Sequence, residues 1–417
     1  MIHLPVAYIG PGAGFAFLGS FFTLVLSLLA SIVSLLLWPL RLLRGMRAGK
    51  SRQVVLLGLD GGNFDRAAAM MAAGKLSNLA HLKEEGSCRP LRGGEWTGFA
   101  SGVGASESAP REPFWKILGR NAIGSTILLV PESFPPDDFS GRILAADSSA
   151  ARRKSTSFST SPDAPHKLVS IDNRFEGELP SGVRFRILDP RGDPELEIDR
   201  ERYALKPHVF TPWIRLQSGG VSGLARFLAT AAGAEFSLYV SPIHPDPERP
   251  ETALSHPRRY SAYLAKLLGP FATLPESGDE AALYSGTIDA EDFLMQVKLA
   301  QEEREALFFS ALEHQPAGLV ACVFDTPRRI EQVFGEYGEV VEWAYHEMDR
   351  LVGRTLEKIR PGAAVLVVSN SPQGVLFSNR KLDAESAALE DIAPTVLGLF
   401  GIERPEWMDG RPIIRFA

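Results

Sequence analysis

Five runs of apolar residues, spaced along the chain, constrain its fold more than any other feature of the sequence. Each run is rich in Val, Leu and Ile, contains almost no charge, and has the length of a single strand. Strands of this composition suit a parallel sheet that is covered on both faces. The runs occupy 54–60, 125–131, 235–242, 318–325 and 363–370.

Segments with helical periodicity lie between and after these runs. The candidate helices are 65–85, 221–232, 260–268, 290–312 and 340–358. Alternation of strands and helices predicts an α/β fold built on a doubly wound, mostly parallel sheet. Ligands of such folds bind beyond the carboxyl ends of the strands. We therefore expect Asp60, Asp325 and Asn370 to lie at one edge of the sheet, because each ends an apolar run.

Residues 151–216 interrupt the alternation of strands and helices. The segment begins with a polar, Ser-rich stretch, and its later part alternates apolar with charged residues on both sides of Pro190-Arg191-Gly192-Asp193. This alternation is typical of β-hairpins. The sequence therefore predicts a small antiparallel β insertion within the main domain.

The amino-terminal segment has a different composition from the rest of the chain. Its first 40 residues contain no Lys, Arg, Asp or Glu and are almost continuously apolar from Gly14 to Leu40. About 20 apolar residues are enough to cross a bilayer, and the basic start and short apolar core of a cleaved signal peptide are missing. We predict a transmembrane helix as an anchor at 1–44, a basic linker at 45–52 and the main domain at 53–417.

Basic residues flank this apolar segment on one side. His3 precedes it, and the residues that follow it include Arg41, Arg44, Arg47, Lys50 and Arg52. The positive-inside rule therefore predicts a single-pass protein of the cell membrane whose large domain is cytoplasmic.

Overall composition excludes several classes of function. The net charge of −6 gives no support to nucleic-acid binding. Cys88 and Cys322 are far apart in the sequence and predict neither a disulfide framework nor a cysteine metal site.

Five segments share their order and spacing with one known family. They read VVLLGLDGGNFD with AGKLSNLAHLKEEGS, VPESFPPDDFSGRIL, FSLYVSPIHPDPERPETALSHP, DTPRRIEQVF and LEDIAPTVLGLFGIERPEWMDGRPI. Together they resemble the type I phosphodiesterase/nucleotide pyrophosphatase family of the alkaline phosphatase superfamily. The resemblance covers nearly everything after residue 52. It implies an alkaline-phosphatase-like fold, and active relatives use two divalent metals, usually zinc, with a Ser or Thr nucleophile.

The resemblance can be compared with this chain position by position. Asp60 matches the aspartate of the family's GLDG motif, which is a metal ligand. The nucleophile motif reads RGGEWTGFASG here, so Arg92 stands where the family has a hydroxyl group. Of the expected ligand set, Asp60 is the member that is present.

Two further ligand motifs are altered. The family's DRIQHMF reads RRIEQVF, which places Arg328 and Gln332 where the family has a metal-binding aspartate and histidine. The family's VSDHG reads VSNSP, which gives Asn370 and Ser371. A single carboxylate supplies too few ligands for a zinc site, and nearby arginines would repel a cation. We expect no metal cofactor in this chain.

The two arginines have two alternative roles. Arg92 and Arg328 could replace the positive charge of the metals and form an anion site, with Asp60 paired to one of them, since arginine binds phosphate through two hydrogen bonds and keeps its charge. Alternatively, both arginines neutralise Asp60 in a closed cleft.

These comparisons predict a membrane-anchored, catalytically degenerate phosphodiesterase homologue that acts as a binding or regulatory subunit. The membrane is one partner, and an active paralogue or a phosphate-containing ligand is another. The alternative is an active phosphohydrolase or phosphotransferase that uses a rebuilt site on a lipid- or glycan-linked phosphate. Family members are often extracytoplasmic, which makes that location the alternative to the cytoplasm.

Overall fold

The computed structural model describes residues 52–104, 112–148, 154–232, 235–335 and 338–414. The predicted anchor at 1–44, and the linker up to residue 51, lie outside the described residues. Within the described ranges, no helix combines the length and the apolar character that crossing a membrane requires.

The strands fall into three groups along the chain. The first group is β1 (Gln53–Asp60), β2 (Ser87–Arg92), β3 (Ser125–Leu128) and β4 (Arg142–Leu144). The second is β5 (Thr156–Ser159), β6 (Val169–Ile171), β7 (Arg174–Glu178), β8 (Arg184–Leu188), β9 (Glu195–Ile198), β10 (Glu201–Ala204), β11 (Ile214–Ser218), β12 (Val221–Ala225), β13 (Phe227–Ala231), β14 (Ser237–Val240) and β15 (His244–Pro245). The third is β16 (Ser255–His256), β17 (Gly318–Phe324), β18 (Ala364–Asn370), β19 (Gly374–Ser378) and β20 (Ala387–Ala388).

The first and third groups form one nine-stranded sheet. Its spatial order is β16-β4-β3-β17-β1-β18-β19-β2-β20. The five strands from β4 to β18 are parallel to their neighbours. Strand β19 is antiparallel to both of its neighbours, β16 is antiparallel to β4, and β20 is parallel to β2. The predicted α/β fold with a mostly parallel sheet is confirmed.

Helices cover both faces of this sheet. They are α1 (Phe64–Ala72), α2 (Ser77–Glu85), α3 (Trp96–Ser101), α4 (Phe114–Arg120), α5 (Tyr260–Leu268), α6 (Glu280–Tyr284), α7 (Ala290–His314), α8 (Thr326–Phe334), α9 (Gly338–Lys358) and α10 (Ile392–Leu399). Alternate residues of β1 show why two layers are needed. Val55 and Leu57 join the core formed with α1, α2, α7, α8 and α9, whereas Val54 and Leu56 join the core formed with α3, α4 and α10.

Three of the predicted helices are confirmed, and two predictions need correction. The segment 65–85 forms two helices, α1 and α2, which are separated near Gly74, where φ is +72°. The predicted helix at 221–232 is wrong, because this segment forms β12 and β13. Gly219 and Gly220 both have positive φ and turn the chain between β11 and β12, so the segment pairs with its neighbours as strands.

The predicted insertion is antiparallel, as expected, but it extends past residue 216. Strands β6 to β10 form one sheet, β11, β12 and β15 form a second, and β5, β13 and β14 form a third. The composition of the run 235–242 predicts a strand of the main sheet. This prediction is wrong, because the run supplies β14 of the third sheet. Aromatic side chains fill the core between these sheets, including Phe158, Phe185 and Phe227.

The insertion leaves the main sheet and returns to it at adjacent positions. It follows β4 and is followed by β16, and these two strands pair with Ser255 opposite Leu144. The next residues out are also joined, because the amide of Ala145 donates to the carbonyl of Leu254 at 2.9 Å.

Candidate functional site

Asp60 ends the central strand β1, at the edge of the sheet where the parallel strands have their carboxyl ends. The chain turns immediately after it, with Gly61 at φ +90° and Gly62 at φ +87°. The turn is held by a hydrogen bond from the amide of Gly61 to the carbonyl of Asn370, at 2.9 Å. A Cβ on Gly61 would lie 2.5 Å from the backbone nitrogen of Arg328, so the close approach of α8 requires glycine there.

Both carboxylate oxygens of Asp60 have hydrogen-bond donors. Arg328 Nε lies 2.5 Å from Oδ2, and Trp96 Nε1 donates to Oδ1 at 3.3 Å. The Asp60 side chain is 10% exposed. Burial raises the pKa of this carboxyl group above its ordinary value, and the neighbouring Asp325 charge adds to the rise, although Arg328 and Trp96 act in the opposite direction.

Arg92 lies at the same edge, at the end of β2, but it has a different carboxylate partner. Its Nη2 donates to Glu390 Oε1, and the Arg92 side chain is 73% exposed. The two arginines that the resemblance singles out therefore pair with two separate acids. Anion binding by these arginines stays a prediction.

The remaining altered positions bond to backbone or to another acid. Asn370 exchanges two hydrogen bonds with Gly94, each of 3.0 Å, and so fixes the loop between β2 and α3 against β18. Ser371 Oγ donates to the carbonyl of Gly62 at 2.6 Å. Gln332 Nε2 donates to Glu280 Oε2 at 2.8 Å. Each of these side chains therefore stabilises a loop or helix contact at the edge of the sheet.

Asp325 follows β17 and lies at the same edge, as predicted, but inside a network of buried charges. Its carboxylate lies 3.0 Å from Arg304 Nη1 and 3.3 Å from Arg329 Nε, and it accepts hydrogen bonds from the amide and hydroxyl of Ser277. Burial alone would raise the pKa of Asp325, but Arg304, Arg329 and Ser277 together lower it below its ordinary value. This carboxylate is an anchor for α7 and α8.

The zinc pair that the resemblance implies can be tested against these contacts. The one matching ligand, Asp60, has both oxygens engaged by an arginine and a tryptophan. The other ligand positions present Arg328, which pairs with Asp60 itself, and Gln332, Asn370 and Ser371, which bond to Glu280, Gly94 and Gly62. The residues present do not fit a two-zinc site.

A separate group of possible metal ligands lies in the described part of the chain at the start of α7. His208 Nδ1 is 3.1 Å from Asp292 Oδ1 and 3.6 Å from Asp289 Oδ2. Asp289 and Asp292 also bond to each other's backbone amides and so cap the helix. Helix capping and the hydrogen bond between His208 and Asp292 account for this cluster.

Two cavities open near the carboxyl edge of the sheet. One, of about 780 Å³, lies between the β insertion and helices α6 and α7, and Glu280 and Arg329 form part of its wall. The other, of about 760 Å³, is lined by Arg92, Glu390 and Arg411 among others. Asp60 lines neither cavity.

The sequence predicts the pairing of Asp60 with an arginine, which the structure shows with Arg328, but it does not predict the other partners. Trp96 lies in the altered nucleophile motif and could have been noticed there, since a buried indole needs an acceptor. Glu280 and Glu390 lie far along the chain from Gln332 and Arg92, and no local pattern marks them.

Comparisons with known proteins give little further constraint. No protein-family model matches the chain, and no curated protein matches it. Among solved structures, one described as BT4656 in complex with its substrate D-glucosamine-2-N,6-O-disulfate matches at a TM-score of 0.33 and 11% identity. The match covers 87% of this chain and 79% of that one. A TM-score of this size carries no argument about this chain.

Proposed function

We propose that this protein is a membrane-anchored, catalytically degenerate homologue of the alkaline-phosphatase-like phosphodiesterases, and that it acts by binding. The observation that supports this proposal is the pairing of Asp60 with Arg328. In the family that the chain resembles, both positions hold metal ligands. Here they form an ion pair, with Arg328 Nε 2.5 Å from Asp60 Oδ2. Arginine keeps its proton at accessible pH. A metal ion that approached Asp60 would therefore meet the positive charge of Arg328 at any such pH.

The same reasoning applies to the position of the nucleophile. Arg92 offers no hydroxyl group, and its guanidinium is paired with Glu390. A phosphodiesterase of this type needs a nucleophile and two metals aligned with the phosphoryl group. A binding or regulatory role requires neither a nucleophile nor metals, and it can use the edge of the sheet and its cavities. The partner in our proposal is a phosphate-containing ligand, a membrane component or an active paralogue.

Metal content and hydrolysis test the degenerate character directly. Full-length protein is purified from a culture that is supplied with zinc and manganese, and its metals are measured by mass spectrometry. Hydrolysis of bis-p-nitrophenyl phosphate is measured in parallel. We expect less than about 0.1 metal ion per chain, because a lone, arginine-paired carboxylate gives no chelate, and no turnover above that of the Asp60→Asn variant. Stoichiometric metal with turnover that Asp60→Asn abolishes would overturn the proposal in favour of a rebuilt active site.

A further inference from the structure

The cavity of about 780 Å³, called here the insertion cavity, has the size and position of a small-molecule site. Pockets for small ligands have volumes of roughly 300–1,000 Å³ and favour the interfaces between structural units. Strands β5 and β14 of the insertion form one side of this cavity, and helices α6 and α7 form the other. Arg329 is the one residue of the altered family motifs in its described lining, and the positions of the lost ligands and nucleophile lie outside it.

Charges in the wall of the insertion cavity are largely neutralised in pairs. Glu303 Oε1 lies 2.7 Å from Arg226 Nη2, and Glu280 Oε1 lies 2.6 Å from Arg329 Nη1. The described lining has four carboxylates and three Lys or Arg side chains. A strongly anionic ligand, such as a nucleotide, needs several cations that are not already paired, and the pairing of Arg226 and Arg329 leaves the exposed Lys154. The wall therefore favours a ligand without net charge.

Hydrogen-bonding groups and aromatic rings share the same wall. Short hydroxyl side chains line it on both sides, among them Ser157 on β5 and Thr287 beyond α6. Phe210 and Trp213, both partly exposed, supply aromatic surface. Sugar rings match this combination, because their C–H faces pack against aromatic rings while their hydroxyl groups exchange hydrogen bonds with hydroxyl and carboxylate side chains.

The aromatic part of the wall is held rigidly. Glu303 accepts hydrogen bonds from Trp213 Nε1, Arg226 Nη2 and the amide of Ala272, each of 2.7 Å. The Arg226 guanidinium lies 4.7 Å from the centre of the Trp213 ring, and the His244 ring meets the same indole edge-on at 4.7 Å. A wall fixed before binding reduces the entropy lost when a ligand binds.

The insertion cavity is connected to the altered family motifs through α8. Glu280, in the cavity wall, accepts hydrogen bonds from both Arg329 and Gln332. The residue before Arg329 is Arg328, which pairs with Asp60. A ligand that moves Glu280 would therefore shift α8 and change the contact between Arg328 and Asp60.

We propose that the insertion cavity binds a neutral, polyhydroxylated ring compound, namely a mono- or disaccharide unit. The inference rests on the proposed function, because it assigns a further, uncharged ligand to a chain that binds rather than hydrolyses. Free phosphate is disfavoured because most of the charges in the wall are paired, and adenosine distinguishes a sugar site from a nucleoside site.

Calorimetric titration of the full-length protein tests this proposal. The protein is kept in a detergent without a sugar headgroup, and cellobiose, maltose, lactose and N,N′-diacetylchitobiose are titrated separately, with adenosine and inorganic phosphate as comparisons. We expect at least one sugar to bind with a Kd below about 1 mM, and adenosine and phosphate not to compete with it. Binding of none of the four sugars, or competition by adenosine or phosphate, would overturn the proposal.

A variant that fills the cavity identifies the site. Ser157→Trp places an indole in the wall, and Ser170→Trp on the exposed strand β6 is the matched control. We expect Ser157→Trp to raise the Kd of the sugar at least about tenfold, and Ser170→Trp to leave it unchanged, with both variants melting as the parent protein does. Equal Kd values for all three proteins would place the sugar elsewhere and overturn the assignment. These outcomes are independent of metal content and hydrolysis, so failure here leaves the proposed function standing.

Discussion

Asp60 carries a buried carboxylate whose pKa is raised, chiefly by burial, above the value of about 3.9 expected in the unfolded chain. The folded state therefore holds this proton more tightly than the unfolded state does. By linkage, the contribution of Asp60 to stability is fully present below the unfolded pKa and decreases as the pH rises through the folded pKa. At neutral pH the contact with Arg328 limits this cost.

Replacing Arg328 with Ala leaves the Asp60 carboxylate without its closest partner. Since the Arg328 side chain is 44% exposed and the pair is partly screened by water, we expect the free energy of unfolding at pH 7 to fall by about 1–3 kcal/mol. Urea denaturation measures this loss. The double variant Asp60→Asn/Arg328→Ala is the control and should be more stable than Arg328→Ala, because no buried charge remains. A double variant that is less stable than the single one would contradict this reading of the pair.

Gly61 and Gly74 form a matched pair of glycines in the left-handed region. A Cβ on Gly61 would lie 2.5 Å from the backbone of α8, whereas a Cβ on Gly74 would have no atom within 4 Å. We expect Gly74→Ala to cost about 1–2 kcal/mol from backbone strain alone, and Gly61→Ala to cost at least about 2 kcal/mol more. Equal midpoints of the two variants in urea would show that α8 yields to the added methyl group.

Helices α7 and α8 share one buried anchor at the scale of secondary-structure elements. Arg304 from α7 and Arg329 from α8 converge on Asp325, and Ser277 bonds to it from the loop before α6. Arg304 also donates to the carbonyl of Val323, at 3.2 Å, and so ties α7 to strand β17. Three elements around the insertion cavity therefore depend on one carboxylate.

Asp325→Asn tests this anchor, because it removes the negative charge and leaves two buried arginines less well paired. We expect a loss of about 3–5 kcal/mol at pH 7. Since the pKa of Asp325 is lowered in the folded protein, its contribution is present above the unfolded pKa of about 3.9 and is lost as the pH falls through the folded pKa. The stability difference between the parent and the variant should therefore shrink as the pH falls below about 4.

Urea denaturation at pH 7 and pH 3 measures this difference. The matched control is Asp163→Asn, at an exposed loop position, which should change stability by less than about 0.5 kcal/mol at either pH. A difference between the parent and Asp325→Asn that grows at pH 3 would contradict the role of Asp325 as a charged anchor.

Elements of the main sheet could be predicted because burial on both faces leaves a continuous apolar run. The same rule explains the error at 235–242. In β14, Leu238 and Val240 face the core of the insertion, whereas Tyr239 faces the core of the main domain. The strand is thus buried on both faces although it is antiparallel, and composition reports burial rather than strand direction.

Site residues could be predicted only where a motif carried them. Asp60, Arg328 and Asn370 lie where the strand ends and the resemblance place them. The ion pair of Asp60 with Arg328 could be predicted in this way, whereas the other partners depend on long-range packing. The pairing of Arg92 with Glu390 joins the end of β2 to the segment before α10, and neither residue carries a sequence signal that points to the other.

The predicted location of the whole molecule rests on the apolar run from Gly14 to Leu40, which lies outside the described residues. The basic residues that follow it predict a cytoplasmic main domain. A green fluorescent protein fused to the carboxyl terminus should fluoresce, and an alkaline phosphatase fused at the same place should be inactive. The reverse pattern would place the main domain outside the cytoplasm. Changing Arg41, Arg44 and Arg47 together to Asn should weaken the preference, since charge sets it.

The antiparallel insertion departs from and rejoins the main sheet at residues that are hydrogen-bonded to each other, Ala145 and Leu254. The entropy of closing a loop grows only slowly with the number of residues in it. A change in the length of the insertion therefore has little effect on the stability of the main sheet. During evolution, such a module can lengthen, shrink or be exchanged while β4 and β16 keep their register. Ligand specificity can then change through the insertion alone, while β4, β16 and the rest of the main sheet stay the same.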